Sequence, residues 1–312
     1  MDIAHQFLMG LSYALTPTNL GFCLLGAVLG TLVGVLPGLG PAAAMALLLP
    51  VTYAMPPAAA IIMLAGIYYG AMYGGSTTSI LLNVPGESAS VVTCLDGYKM
   101  ARQGRAGPAL GMSAFASFIA GGLGVLGLIL VGPPLADFAL KFSAAEYFSL
   151  AVLGLVLVTF LSGASVLKGL IMAVLGLLLG TVGIDPISAY QRFTFDILVL
   201  ADGFDFVPVA MGLFGLGEIL ASLGQETKRD ILKTRLSGLL PTAQDWLAAK
   251  WALVRGSVLG FFVGALPGGG ATIASFAAYA VEKRLSRHPE KFGTGVIEGV
   301  AAPEAANNSA AT

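Results

Sequence analysis

The chain has 312 residues, of which 56% are hydrophobic and 11% charged, less than half the roughly 25% charge of an ordinary soluble domain. Most of it therefore belongs in lipid, and a net charge of −1 supplies no basic field that would recruit nucleic acid. Two cysteines, Cys23 in an apolar run and Cys94 in a loop with basic neighbours, support neither a disulfide framework nor a metal site.

Residues 1–15 lack a basic n-region and a small-residue cleavage site, so they read as a short surface helix and not as a cleaved signal peptide. The runs 21–36, 108–131, 147–161 and 166–182 are nearly uncharged and close to the roughly 20 residues that cross a bilayer core. Segments with period-two alternation, which a β-barrel needs, do not occur between turn signals. The fold class is all-α, a polytopic integral membrane protein.

Basic residues form three clusters: Lys99, Arg102 and Arg105; Lys228, Arg229, Lys233, Arg235 and Lys250; and Lys283, Arg284, Arg287 and Lys291. The positive-inside rule puts all three on the cytoplasmic side. Four apolar spans separate the first two clusters, at 108–131, 146–163, 165–184 and 206–223, and an even number returns the chain to the same side. The stretch 251–281 is interrupted at Pro267-Gly268-Gly269-Gly270 and has basic flanks at both ends. It should enter and leave on the cytoplasmic side, as two tilted spans or a re-entrant hairpin. The earlier stretch 21–53, broken at Pro37-Gly38-Leu39-Gly40, should have both ends outside.

These two broken hairpins are related. With a constant shift of 230, residues 26–40 match residues 256–270 at ten of fifteen positions, including Gly26, Gly30, Gly34, Pro37, Gly38 and Gly40. Related segments of opposite topology are the pattern of an inverted-repeat transporter, with its site at the repeat interface. The expected organisation is a first repeat over 1–225, with broken hairpin 21–53, polar stretch 68–87 and four spans over 108–223. A cytoplasmic basic linker follows over 226–250, then the start of a second, incomplete repeat over 251–312.

Gly26, Gly30, Gly34 and Gly38, like Gly256, Gly260, Gly264 and Gly268, recur every four residues and let another backbone approach one helical face. The prolines Pro37 and Pro267 remove a donor, and Gly38, Gly40, Gly268 and Gly270 tolerate an opened backbone. A half-helix starting after Gly40 or Gly270 aims N–H groups at an anion, and carbonyls near Gly38 and Gly268 can hold Na⁺. Each break is followed by a polar stretch. The first runs from Tyr68 through Ser76, Thr77, Thr78 and Ser79 to Asn83 and Glu87; the second runs from Glu298 through Glu304, Asn307 and Asn308 to Ser309. Polar groups so dense at membrane depth should line a cavity. The substrate-binding candidates are therefore Pro37, Gly38, Gly40, Ser76, Thr77, Thr78, Asn83, Pro267, Gly268, Gly270, Asn307, Asn308 and Ser309. Glu298 and Glu304 read as hydrated helix-end residues in preference to proton carriers.

At these stretches the sequence resembles the large membrane subunit of the tripartite tricarboxylate transporters, the TctA family. The resemblance is carried by Gly34-Val35-Leu36-Pro37-Gly38-Leu39-Gly40-Pro41, by Tyr68 to Asn83 with Pro85-Gly86-Glu87, by Asp96 to Gly104, and by Gly299 to Ser309. It implies a bacterial cytoplasmic-membrane permease that works with a small membrane subunit and a periplasmic solute-binding protein. It also implies symport of citrate-like or other small carboxylates with Na⁺ or H⁺, and no cofactor. Family members continue past the Pro-Glu-Ala-Ala-Asn-Asn stretch through further spans, so the chain reads as a C-terminally truncated copy.

A passive channel or structural membrane subunit is the alternative. An intramembrane protease is disfavoured. Asp96, Asp185, Asp202 and Asp205 fall in expected loops, and the two histidines, His5 and His288, are far apart, leaving no zinc cluster and no partner for a serine nucleophile. The chain is not expected to be an enzyme.

Overall fold

The computed structural model describes residues 3–36, 39–139, 165–185, 188–204, 238–265 and 270–312, with Leu220 and scattered positions between 141 and 152. Pro37, Gly38, Pro267 and Gly268, most of the expected spans 146–163 and 206–223, and residues 226–237 of the basic linker lie outside the described residues.

Proline starts the helices of the first unit. After α1 (Ile3–Ala14), the prolines Pro17, Pro41 and Pro57 open α2 (Pro17–Gly34), α3 (Pro41–Leu48) and α4 (Pro57–Leu82). At a first helical position the missing N–H has no intrahelical bond to lose and φ is already set. α4 ends at Asn83, whose φ of 56° is left-handed, a conformation asparagine tolerates at a helix C-terminus. Short helical turns then cover Ser88–Arg102 and lead into α5 (Ala106–Ala139) and α6 (Val166–Gly180). The last described unit is α7 (Ala243–Gly264), α8 (Gly270–Leu285) and α9 (Glu298–Ala310). α7 opens with a capping box in which the Asp245 N–H donates to Thr242 Oγ1 and the Thr242 N–H donates to Asp245 Oδ2.

The glycine ladders set the packing. A methyl at Gly26, Gly30 or Gly34 would strike the backbone of Met63, Ile67 or Ala71, and one at Gly66, Gly70 or Gly74 would strike that of Cys23, Ala27 or Thr31. The contacts climb together along the numbering, so α2 and α4 run parallel with backbones touching, as a small-residue stripe permits. The second unit repeats the plan: Gly256, Gly260 and Gly264 lie on Ala302, Ala306 and Ala310, making α7 and α9 parallel. Its partner helix is shifted by nine residues, since Gly26 meets Met63 whereas Gly256 meets Ala302. Between the units the order inverts. Ser76 meets Glu304 and Tyr69 meets Thr312, so α4 and α9 are antiparallel and the two units run in opposite senses.

The interior is built from small side chains, including Ala109, Ala116, Ala252, Ala274, Ala302 and Ala306, while Leu32, Leu130, Phe118 and Phe262 face outward. In water such an exterior would be an aggregation surface; in lipid it is the expected arrangement, because tight helix association there rests on close packing. Among the described residues, α2, α4, α5 and α7 are long and apolar enough to cross a membrane. α6 falls short of the expected 165–184 span. Its 15 residues extend about 22 Å before Gly183, at φ 122°, turns the chain into a two-residue pairing of Gly183–Ile184 with Gln191–Arg192.

Two expectations need correction. Asp96 is not in an exposed loop: it is fully buried in a single wide helical turn, Cys94–Tyr98. It accepts from the N–H groups of Gly293 at 3.0 Å, Gly295 at 2.8 Å and Val296 at 3.0 Å, and from Tyr279 Oη at 2.9 Å. The segment reads as a loop because it is rich in glycine, serine and charge, yet those groups wrap a carboxylate that anchors the entry to α9. Nor is Glu304 a hydrated helix-end residue, since it is 1% exposed.

Candidate functional site

α9 is almost wholly buried from Gly299 to Ser309, packed between α4, α5, α7 and α8. A polar helix in that position must find partners for each side chain. Glu304 finds three. Ser76 Oγ donates to both of its carboxylate oxygens at 2.8 and 2.9 Å, Thr93 Oγ1 to Oε1 at 2.5 Å, and Ser113 Oγ to Oε2 at 2.9 Å. The donors come from α4, from the short turn after it and from α5. Among the described residues no lysine or arginine is paired with Glu304. An ion kept in a low-dielectric interior without a counter-charge costs several kcal/mol even after relaxation, and hydroxyl dipoles offset only part of that.

One turn along α9, Asn308 Nδ2 donates to Ser117 Oγ at 2.7 Å and to the Glu304 carbonyl at 2.9 Å. Ser309 Oγ donates to the Ser257 carbonyl at 2.7 Å, tying α9 to α7. Asn307 Nδ2 donates to Glu87 Oε1 at 3.2 Å. Its Oδ1 is buried with no partner, an unmet acceptor of the kind that calls for an explanation. With Nδ2 directed at the Glu87 carboxyl, it is Oδ1 that is left without a partner.

The structure thus gathers Ser76, Asn307, Asn308 and Ser309 into one region, and separates others from it. Thr77, Thr78 and Ser79 bond back to carbonyls of their own helix, Tyr73 for the first and Gly75 for the other two, as hydroxyls in helices commonly do. Asn83 is exposed and serves as the left-handed end of α4. Gly40 stands at the start of α3, where an added Cβ would lie 3.8 Å from Glu87 Cβ. Gly270 is exposed, with φ 45°, two residues before Thr272, whose hydroxyl pairs with that of Ser88 at 2.7 Å. Pro37, Gly38, Pro267 and Gly268 are outside the described residues. The candidates drawn from sequence omit Glu87, Glu304, Thr93, Ser113 and Ser117. Ser113 and Ser117, four apart in an otherwise apolar run, carried a signal for a polar helix face.

The model of the tripartite tricarboxylate transporter TctA family matches residues 20–312. An uncharacterized 52.8 kDa protein from the TAR-I ttuC' 3'region of Agrobacterium vitis is 53% identical over 311 residues, which is 100% of the chain and 62% of that protein. A second A. vitis protein, from the TAR-II ttuC' 3'region, is 64% identical over 52 residues, 17% of the chain and 22% of that protein. The chain thus spans less than two thirds of the length of either relative. No solved structure matches it.

Proposed function

Because the chain belongs to the tripartite tricarboxylate transporter TctA family, we propose that it acts as the permease part of a bacterial inner-membrane carrier for citrate-like or other small carboxylates. In this reading a periplasmic binding protein delivers the substrate, a small membrane subunit assists, and a Na⁺ or H⁺ gradient drives uptake. The observation that supports it best is the polar cluster buried where the oppositely directed helices α4 and α9 cross. Polar groups in the interior of a membrane protein are costly to keep unless they serve a permeating species, and a site between inverted units can be exposed to either side by rocking one unit against the other.

The test is counterflow. Proteoliposomes holding the chain and preloaded with unlabelled citrate or a related carboxylate should take up labelled substrate at a rate that saturates with concentration, and Asn307→Ala should weaken it. Flux that rises linearly without saturation would replace the carrier with a passive channel.

A further inference from the structure

The surroundings of Glu304 deepen that reading and rest on it. The ionisable groups that face Glu304 from neighbouring elements are Tyr73 on α4, Glu87 ahead of the Ser88–Ser90 turn, and Cys94 in the wide turn. Asp96 lies beneath Gly299, about one turn further back on α9, where Tyr279 of α8 holds it. α5 contributes only Ser113 and Ser117, and α7 presents Gly256, Ser257 and Gly260. The nearby cation of α7, Arg255, is bound to Glu282 through two bonds of 2.8 and 2.6 Å. Among the described residues, everything around Glu304 is therefore neutral or acidic.

That arrangement conflicts with an anionic cargo. Asn307, the residue with a buried unpaired acceptor, sits between the Glu87 carboxylate and the next turn of α9 that carries Glu304. A carboxylate arriving there would add like charge to two existing carboxylates in a site of low dielectric. The hydroxyls around Glu304 offer a way out, because each can donate or accept. When a proton from water adds to one carboxylate oxygen, one hydroxyl rotates and accepts the new O–H; when that O–H bond breaks, the proton returns to water and the hydroxyl donates again. A lysine or arginine in place of the hydroxyls would hold the charged form permanently. Close hydroxyl contacts on both oxygens suit a proton better than a larger cation, which needs room for several oxygens around it. Glu87, half-buried and joined to Asn307, is the other carboxyl of the cluster.

We propose that Glu304 is the proton-binding group of this site and that it must be neutral before the carboxylate substrate enters beside Asn307. The chain in nanodiscs, studied by infrared difference spectroscopy over a pH series, should show the C=O stretch of a protonated buried carboxyl. Glu304→Gln should remove the band, Ser113→Ala should shift it by removing a hydrogen bond, and the exposed control Glu290→Gln should leave it in place. In proteoliposomes, a pH gradient of about one unit should support up to about tenfold accumulation per proton carried. Glu304→Gln should abolish the response of uptake to the pH gradient, whereas the exposed Glu290→Gln should accumulate like wild type. No band at any pH, a band untouched by Glu304→Gln, or undiminished accumulation in that variant overturns the proton assignment and leaves the carrier standing. Failure of wild-type exchange overturns the carrier itself.

Discussion

Ser76 donates to both carboxylate oxygens of Glu304, at 2.8 and 2.9 Å, across a crossing where α4 and α9 run in opposite directions. The members on α4 and α9 are placed by how these two helices are held, and each helix is held by a glycine ladder. Position in the site therefore depends on residues that never touch it.

The ladders give the first prediction. Gly30→Ala and Gly260→Ala would each drive a methyl into a carbonyl, that of Ile67 and that of Ala306. Both neighbours are backbone and cannot rotate away, so each substitution should cost about 1–3 kcal/mol. Gly21→Ala and Gly176→Ala meet open space and should change stability by no more than about 1 kcal/mol. Thermal unfolding in detergent separates the two pairs; equal effects for Gly260 and Gly176 would show that the close approach contributes nothing.

A second concerns Asp96. Its carboxylate satisfies the N–H groups of Gly293, Gly295 and Val296, so Asp96→Ala leaves three half-buried donors without their acceptor, each costing up to about 1 kcal/mol. Tyr279→Phe removes one hydroxyl bond and should cost about 1.5–3 kcal/mol, since the partner is a charged group. In the Asp96→Ala background Tyr279→Phe should cost much less, and a double-mutant cycle reads the coupling. Additive effects would mean that the tyrosine acts through packing alone.

Arg255 and Glu282 form the two-pronged pair that joins α7 to α8. Glu282 is 4% exposed, whereas the arginine side chain is 38% exposed, so water screens one end. Arg255→Met leaves a buried carboxylate unpaired and should destabilise by about 3 kcal/mol or somewhat less. Glu282→Gln in the same chain should recover most of that loss, as measured by unfolding temperature. Arg255→Lys should not substitute fully, because an ammonium cannot reproduce the fork.

Much of this architecture was legible before any coordinates. Ten shared positions between 26–40 and 256–270 announced two related units, and the glycines within them named the packing faces. The site was only half legible, for a geometrical reason. Ser76, Thr77, Thr78 and Ser79 are equivalent in composition, but successive helix residues point about 100° apart, and only the α4–α9 crossing decides that Ser76 reaches across while the others turn back. Glu304 read as a hydrated residue because its neighbours are polar; it is buried because alanine and glycine beside it let four helices close over α9. Arg255 was hidden for the opposite reason, as one charge in a long apolar stretch whose partner lies 27 residues away.

Asn307 supplies the sharpest functional contrast with its neighbour Asn308. Both are 1% exposed, but the Asn308 amide joins Ser117 to the Glu304 carbonyl, whereas Asn307, among the described residues, keeps an unpaired oxygen and donates to Glu87. Asn308→Ala should thus lower the unfolding temperature, by the equivalent of about 1–3 kcal/mol. Asn307→Ala gives up one bond, to the half-buried Glu87, and should cost less stability than Asn308→Ala; in the proposed carrier it should weaken substrate, raising the half-saturating concentration in counterflow about tenfold for one lost polar contact. Asn307→Asp should be worse for transport than Asn307→Ala, because it sets a second carboxylate directly against Glu87 and repels an anionic substrate as well. If Asn307→Asp transports as well as wild type, the anion does not pass beside this residue and the site must lie elsewhere along the crossing.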